Sequence, residues 1–275
     1  MKKILLIIVS AIFIISCSTT PVRKQFNLDG DHGKLSVILQ TPANKKVYPI
    51  VMILHGFNAS KDMALLVQLA DILQQRGIAS VRFDFNGHGQ SEGAFLDMTP
   101  LNEIEDTKKV YEYVSKLPQV TSISLVGHSL GGVISAMFAG QEGKDKIKSF
   151  VLMAPAGELK DDTLKGDLFG TKYDSKNIPE YIFVAGGKLK VGRAFLQASQ
   201  TLPIYEMAAD YTGHVLIVHS KDDGLVPYAY GLKYKEIYKN GELKTLSGLN
   251  HNFDGNIQNV DNIVADFFEK HLLME

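Results

Sequence analysis

The stretch from 122 to 139 constrains this chain more than any other. An apolar run ending in Leu125-Val126 passes through Gly127-His128-Ser129-Leu130-Gly131-Gly132 into Val133-Ile134-Ser135-Ala136-Met137-Phe138-Ala139. Read by pattern, this is a strand, a sharp turn and a small-residue helix. Gly127 and Gly131 stand two residues either side of Ser129, the spacing G-x-S-x-G. A turn that tight forces its central residue into strained backbone geometry, and the flanking glycines leave room for the neighbouring chain. The serine hydroxyl is lifted clear of the sheet edge at a helix N-terminus. A plainer alternative is a glycine-rich turn whose serine caps the helix. The rest of the chain decides between them.

Short apolar runs alternate with helix-like stretches, the pattern of a doubly wound, mostly parallel sheet. Strands are expected at 34–40, 49–54, 78–83, 122–126, 147–153, 214–219 and 243–246. Several are nearly all apolar, as strands covered on both faces must be. Helices are expected at 63–76, 102–117, 130–141, 228–238 and 257–273, with Gly77 and Pro118 as stop signals. One region breaks the alternation. Residues 156–212 separate two strands by more than a bare loop should, and read as an inserted cap.

The N-terminus carries a different signal. Lys2-Lys3 followed by the apolar stretch 4–15 reads as a secretory signal too short to span a membrane. Ile14-Ile15-Ser16-Cys17 resembles a bacterial lipoprotein cleavage box, and Cys17 is the sole cysteine of 275 residues. A lone thiol in an exported protein has no internal disulfide partner. The resemblance implies a signal peptide at 1–16, an acylated Cys17 and a tether over 17–25. The protein would then be an exported lipoprotein held to a membrane by its lipid anchor. Without Lys2 and Lys3 the 29 basic residues fall to 27 against 30 acidic, a formal charge of −3, and no block of like charge points to nucleic acid.

No G-K-[ST] loop, H-E-x-x-H or cysteine–histidine cluster occurs, so neither nucleotide nor zinc chemistry has support in the motifs. Asn86 to Gly93 comes close to a dinucleotide fingerprint but misses its last spacing by one residue. It reads better as a turn after a strand.

The motifs with chemistry are HGF at 55–57, DFNGHGQSEG at 84–93, GHSLGG at 127–132, DDGLVP at 222–227 and NHNF at 250–253. Jointly they make the chain resemble serine hydrolases of the α/β-hydrolase fold over residues 35–273. Within that family it is most similar to bacterial feruloyl and cinnamoyl esterases, through MTPLNEIED at 98–106 and LPIYE at 202–206. The resemblance implies a nucleophile, acid and base in that chain order. Ser129 is the nucleophile. Asp223 is preferred over Asp222 as the acid, because the family places its aspartate four residues before the proline of D-x-x-V-P. His251 is the base, in the loop between the last strand and the final helix. His214 and His219 read as structural, and the side chain of His128 should point away from the tip of the turn. The N–H groups of Phe57 and Leu130 would form the oxyanion hole.

The same resemblance assigns Phe169, Phe195 and Tyr205 of the cap to substrate binding. An apolar roof of phenylalanines would favour less hydroxylated aryl acids or plain aliphatic acyl groups. Leu130 stands where the esterases often have glutamine, which keeps the N–H and changes the polarity around it. The expectation is a serine carboxylesterase for a small-molecule ester, needing no cofactor and no metal. A short-chain acylglycerol lipase, a serine aminopeptidase and a non-catalytic lipoprotein binding module remain as alternatives.

Overall fold

The computed structural model describes residues 22–43 and 45–274. The signal peptide expected at 1–16 and the acylated Cys17 lie outside the described residues. The elements run β1 Val22–Asp29, β2 Lys34–Thr41, β3 Tyr48–Leu54, α1 Ala64–Gln75, β4 Ala79–Phe83, α2 Pro100–Val114, β5 Val120–His128, α3 Leu130–Glu142 and β6 Ser149–Met153. After the cap come β11 His214–Ser220, α7 Tyr228–Ile237, β12 Gly241–Leu246 and α8 Ile257–Leu273. The cap itself holds α4 Leu159–Lys165, β7 Asp167–Leu168, β8 Thr171–Lys172, β9 Tyr181–Val184, β10 Leu189–Gly192, α5 Arg193–Thr201 and α6 Ile204–Ala208. Every strand and helix expected outside the cap is present, with bounds shifted by at most three residues.

The eight main strands form one sheet in the order β1-β2-β4-β3-β5-β6-β11-β12. From β4 to β12 all neighbours are parallel, while β1 and β2 are antiparallel additions at one edge. Every residue of β3 and β6 is buried, as central strands in a covered sheet require. Strand alternation divides the core in two. Val51, Ile53, Val126, Val151 and Val218 face α1 and α8. Ile50, Met52, Leu125, Phe150 and Ile217 face the side that holds α2, α3 and the tyrosines of α7. α8 meets the sheet with Val260, Val264 and Phe268, one face at helical spacing. α2 starts where Thr99 Oγ1 accepts the Asn102 N–H at 3.2 Å and Pro100 fills the first turn.

β1 corrects the expected domain boundary. Residues 22–25, assigned to the tether, pair with 38–41 of β2. The alternation there is weak because β1 lies at the exposed edge, and only Phe26 and Leu28 reach the core. Parallel order puts the ends of β3, β5, β6, β11 and β12 along one edge of the sheet, and the cap is inserted there between β6 and β11. Among the described residues no helix is long and apolar enough to cross a membrane.

Candidate active site

Ser129 sits between β5 and α3 at φ 56° and ψ −121°, a region that non-glycine residues occupy at a cost. The turn is so tight that a Cβ on Gly127 would stand 2.0 Å from the Gly131 carbonyl oxygen, and one on Gly131 would stand 2.4 Å from that of His55. These contacts are the physical reason for both glycines. The Ser129 N–H is tied to the Met153 carbonyl at 2.9 Å and its own carbonyl accepts from Gly132 and Ala156. The backbone is thereby fixed from three sides.

β3 and β5 are adjacent, with Leu54 opposite Gly127, so the turn after β3 lies beside the serine. His55 shapes that turn. Its Nε2 accepts the Phe85 N–H at 3.1 Å, so Nδ1 carries the proton and donates to the Gly56 carbonyl at 2.8 Å. Burial lowers its pKa to about 3, and the ring stays neutral. Because a trans peptide sets carbonyl and N–H on opposite sides, holding the Gly56 oxygen also fixes the direction of the Phe57 N–H. No backbone hydrogen bond takes up the N–H of Phe57 or of Leu130 among the described residues.

At the far side of the same edge stand the acid and the imidazole. Asp223 follows β11 and its side chain is 1 % exposed. Its Oδ1 accepts the N–H groups of Leu225 and Val226, both at 2.9 Å. Its Oδ2 accepts from His251 Nδ1 at 2.8 Å and from His219 Nε2 at 3.2 Å. Burial pushes the Asp223 pKa up, but the hydrogen bonds from His219, His251 and Val226 outweigh it and hold the carboxyl well below its ordinary range. A carboxylate only accepts, so the proton of His251 is on Nδ1. Its Nε2 is buried without a partner among the described residues, and His251 and Ser129 line the same cavity.

Asp222 goes elsewhere. Its Oδ2 accepts the Gly248 N–H at 2.6 Å, bracing the loop that carries His251. His128 packs against His251, ring centroids 4.8 Å apart, and donates from Nε2 to the His251 carbonyl at 2.9 Å. Burial brings its pKa down to about 4, so it acts as a neutral donor. Sequence reasoning missed the supporting contacts of His55, His128 and His219. His55 and His128 lie inside motifs and His219 stands four residues before Asp223, which was the available signal.

Two cavities meet at Ser129. The smaller, about 310 Å³, is lined by Leu130, Leu159, Leu168, Phe195 and Val226 among others, and the larger, about 970 Å³, by His251, Asn58, Asn252 and Leu189 among others. Phe57 and Phe169 line both. Phe57 is the hub of an aromatic wall, with Phe169 and Phe195 of the cap at 5.0 and 5.5 Å and Phe95 at 5.3 Å. The cap expectation is corrected at Tyr205, which lines neither cavity. Its ring packs on Tyr234 and its hydroxyl donates to the Gly157 carbonyl at 3.0 Å, bracing the turn after β6.

Nor is the smaller cavity uniformly apolar. Glu158 lines it, 8 % exposed, with Oε2 lacking a partner among the described residues. Burial pushes its pKa up to about 8, so it is uncharged at neutral pH. Asp162 and Asp167 also line it, but each has a lysine partner, Lys165 at 3.4 Å and Lys172 at 2.7 Å. No group of three or more His, Cys, Asp or Glu among the described residues could hold a metal ion.

Known proteins resemble this chain in sequence and fold. The family model described as serine aminopeptidase, S33, matches residues 45–175. Est1E from Butyrivibrio proteoclasticus, solved with ferulic acid bound, is similar at a TM-score of 0.86 and 32 % identity, over 90 % of this chain and 98 % of that one. Human Protein ABHD12B is 26 % identical over 196 residues, 70 % of this chain and 50 % of its own length. Monoacylglycerol lipase abhd6-A of Xenopus laevis is 32 % identical over 118 residues, 42 % of this chain and 32 % of its own length. The chain thus matches half or less of the length of these two curated relatives. A solved relative of nearly equal extent, sharing almost a third of its residues, settles the kinship: the chain belongs to the α/β-hydrolase family of serine hydrolases.

Proposed function

We propose that the protein is a carboxylic ester hydrolase working through a Ser129–His251–Asp223 acyl-enzyme mechanism. The observation that carries this is the Asp223–His251 hydrogen bond at 2.8 Å, which leaves Nε2 free to accept in the cavity that the strained Ser129 shares. His251 takes the proton as Ser129 attacks the ester carbonyl, and Asp223 keeps the imidazole in the accepting tautomer. The N–H groups of Phe57 and Leu130 receive the oxyanion at the N-terminus of α3. His251 then gives the proton to the departing alcohol, and water repeats the sequence on the acyl-enzyme.

His251 lines the larger cavity and not the smaller. The alcohol must leave beside the group that protonates it, so the larger cavity takes the alcohol and the smaller one the acyl group. A space of about 310 Å³ walled by Phe57, Phe169 and Phe195 suits a single aryl ring or a short alkyl chain. Similarity to Est1E, whose structure holds ferulic acid, supports the aryl choice, and similarity to a monoacylglycerol lipase supports the alkyl one. An aminopeptidase needs an anion for the substrate's amine. Glu158 is uncharged and the two aspartates are already paired, which favours ester over aminoacyl substrates.

The proposal extends to location. A signal at 1–16 and an acylated Cys17 make the enzyme an exported lipoprotein; incorporation of labelled palmitate that disappears in Cys17→Ser tests this. For activity, kcat/KM is measured on methyl ferulate, p-nitrophenyl butyrate and alanine p-nitroanilide, with Ser129→Ala as control. Preference for ferulate selects the aryl reading and preference for butyrate the alkyl one. Turnover that survives in Ser129→Ala removes the mechanism.

A further inference from the structure

His219 is the last but one residue of β11, on the strand face that carries Val215 and Ile217 into the core. It is 0 % exposed. An imidazole in such a place costs free energy unless its nitrogens are paired. Only one nitrogen is. Nε2 lies 3.2 Å from Asp223 Oδ2 and 3.1 Å from the Val226 carbonyl oxygen. Both are acceptors, so Nε2 carries a proton. Nδ1 is buried with no partner among the described residues, and a proton there would be an unpaired buried charge. The ring is therefore the neutral Nε2–H tautomer.

α7 allows this by coming close without a side chain, since a Cβ at Gly231 would stand 2.6 Å from His219 Nδ1. Val226 is clamped at both ends, its N–H on Asp223 Oδ1 and its carbonyl on His219 Nε2. The Asp223 carboxylate ends with two donors on each oxygen. Resting on the proposed roles of Ser129, His251 and Asp223, we infer that His219 is a positioning residue for the reaction: it ties Asp223 Oδ2 to the Val226 carbonyl and so fixes where the carboxylate meets His251.

The second donor also shares the charge of Oδ2. With His219 in place, less negative density is available to the His251 N–H, and the imidazolium formed during reaction is stabilised less. Removing His219 therefore loosens the acid and makes His251 more basic at the same time. Other titratable groups near the pair are Tyr228 of α7, its ring 5.7 Å away, with His128 of β5 and Glu158 after β6 acting at longer range.

The test compares wild type, His219→Phe and His219→Gln on p-nitrophenyl esters from pH 5 to 9, with imidazole ¹H–¹⁵N spectra of the wild type recorded without substrate. The glutamine amide puts an N–H near the position of Nε2, and phenylalanine puts nothing there. Expected for His219→Phe is a kcat lower by roughly 10- to 100-fold, the weight of a hydrogen bond to a charged group, with KM within about twofold. The acid limb of kcat/KM moves up by about half a pH unit or more. His219→Gln recovers most of both. A merely structural histidine would lower activity without moving the limb, and glutamine would be no better than phenylalanine; that result overturns the inference. So does a wild-type spectrum with His219 protonated on Nδ1. If the spectrum shows Nε2–H but the wild type hydrolyses no ester, the contact stands and the esterase reading falls.

Discussion

Replacing Asp223 by asparagine changes one oxygen into a nitrogen and turns an all-accepting group into one that also donates. The carboxylate accepts four hydrogen bonds and donates none. Asparagine keeps one oxygen, which stays with the paired N–H groups of Leu225 and Val226. Its NH₂ group then faces His251 Nδ1 and His219 Nε2, both of which carry protons. His251 escapes by moving its proton to Nε2, and in doing so ceases to be a base for Ser129. The expected loss is roughly 10⁴-fold in kcat, the size found when a triad aspartate loses control of the tautomer.

His219 has no such escape. If its Nε2 becomes an acceptor, the Val226 carbonyl is left unpaired in the interior. One stranded buried group costs about 1–3 kcal/mol, a fall in Tm of roughly 5 °C for a chain of this size. The cost depends on pH with a definite sign. The Asp223 pKa is depressed on folding, so its contribution is complete above about pH 4 and is lost progressively as pH falls below it. The stability gap between wild type and Asp223→Asn therefore narrows in acid. Asp222→Asn is the control, because an amide oxygen accepts the Gly248 N–H as well as a carboxylate does; activity should stay within about twofold. Turnover of p-nitrophenyl butyrate and urea unfolding from pH 3 to 8 give both numbers. More than a tenth of wild-type kcat in Asp223→Asn, or the large loss in Asp222→Asn instead, would refute the argument.

Ser129→Gly should abolish turnover yet raise Tm by roughly 3 °C, since glycine relieves about 1 kcal/mol of strain at φ 56°; a lower Tm would mean the turn is not strained. Gly131→Ala drives a methyl group into the His55 and Leu54 carbonyl oxygens, 2.4 and 2.6 Å away, and should cost about 3 kcal/mol in urea; an unchanged midpoint contradicts the packing. Glu158 has its pKa raised to about 8, so folding binds its proton and stability declines as pH rises from 4.5 towards 8. Glu158→Gln should thus gain on wild type across that interval, and parallel stability curves would show the acid to be hydrated. Phe169 is 43 % exposed, so Phe169→Ala should leave Tm nearly intact while raising KM for methyl ferulate severalfold; equal KM values would take Phe169 out of the acyl wall.

The frame of the fold was readable because its signals are local. β3 and β6 announce themselves as unbroken apolar runs, α8 by one apolar face, and the serine turn by glycines that two carbonyl oxygens make obligatory. Where burial is partial the signal fades. β1 lies on the sheet edge and buries little, so its alternation dissolved into an apparent tether. The cap hairpin of β9 and β10 is only four residues per strand, and β10 packs on the turn at 95–97 outside the cap as well as on α5, not on a repeating surface.

The site was readable to a different depth, and the reason is chemical. Ser129, Asp223 and His251 each follow a strand within a few residues, where sequence order converts directly into position along one sheet edge. The tilt of Tyr205 away from the cavity, by contrast, depends on whether Gly157 offers a carbonyl 48 residues earlier. His219 poses the same problem in sharper form. A histidine ending an apolar strand looks like a tolerated core residue, and nothing in its neighbours says which nitrogen carries the proton. That is decided only when the turn folds back and sets two acceptors, Asp223 Oδ2 and the Val226 carbonyl, before one ring nitrogen. Sequence motifs therefore report the groups proposed to carry the chemistry, because those follow the strand ends. The groups that tune them are selected by hydrogen-bond arithmetic, where each acceptor must find a donor, and that balance exists only in three dimensions.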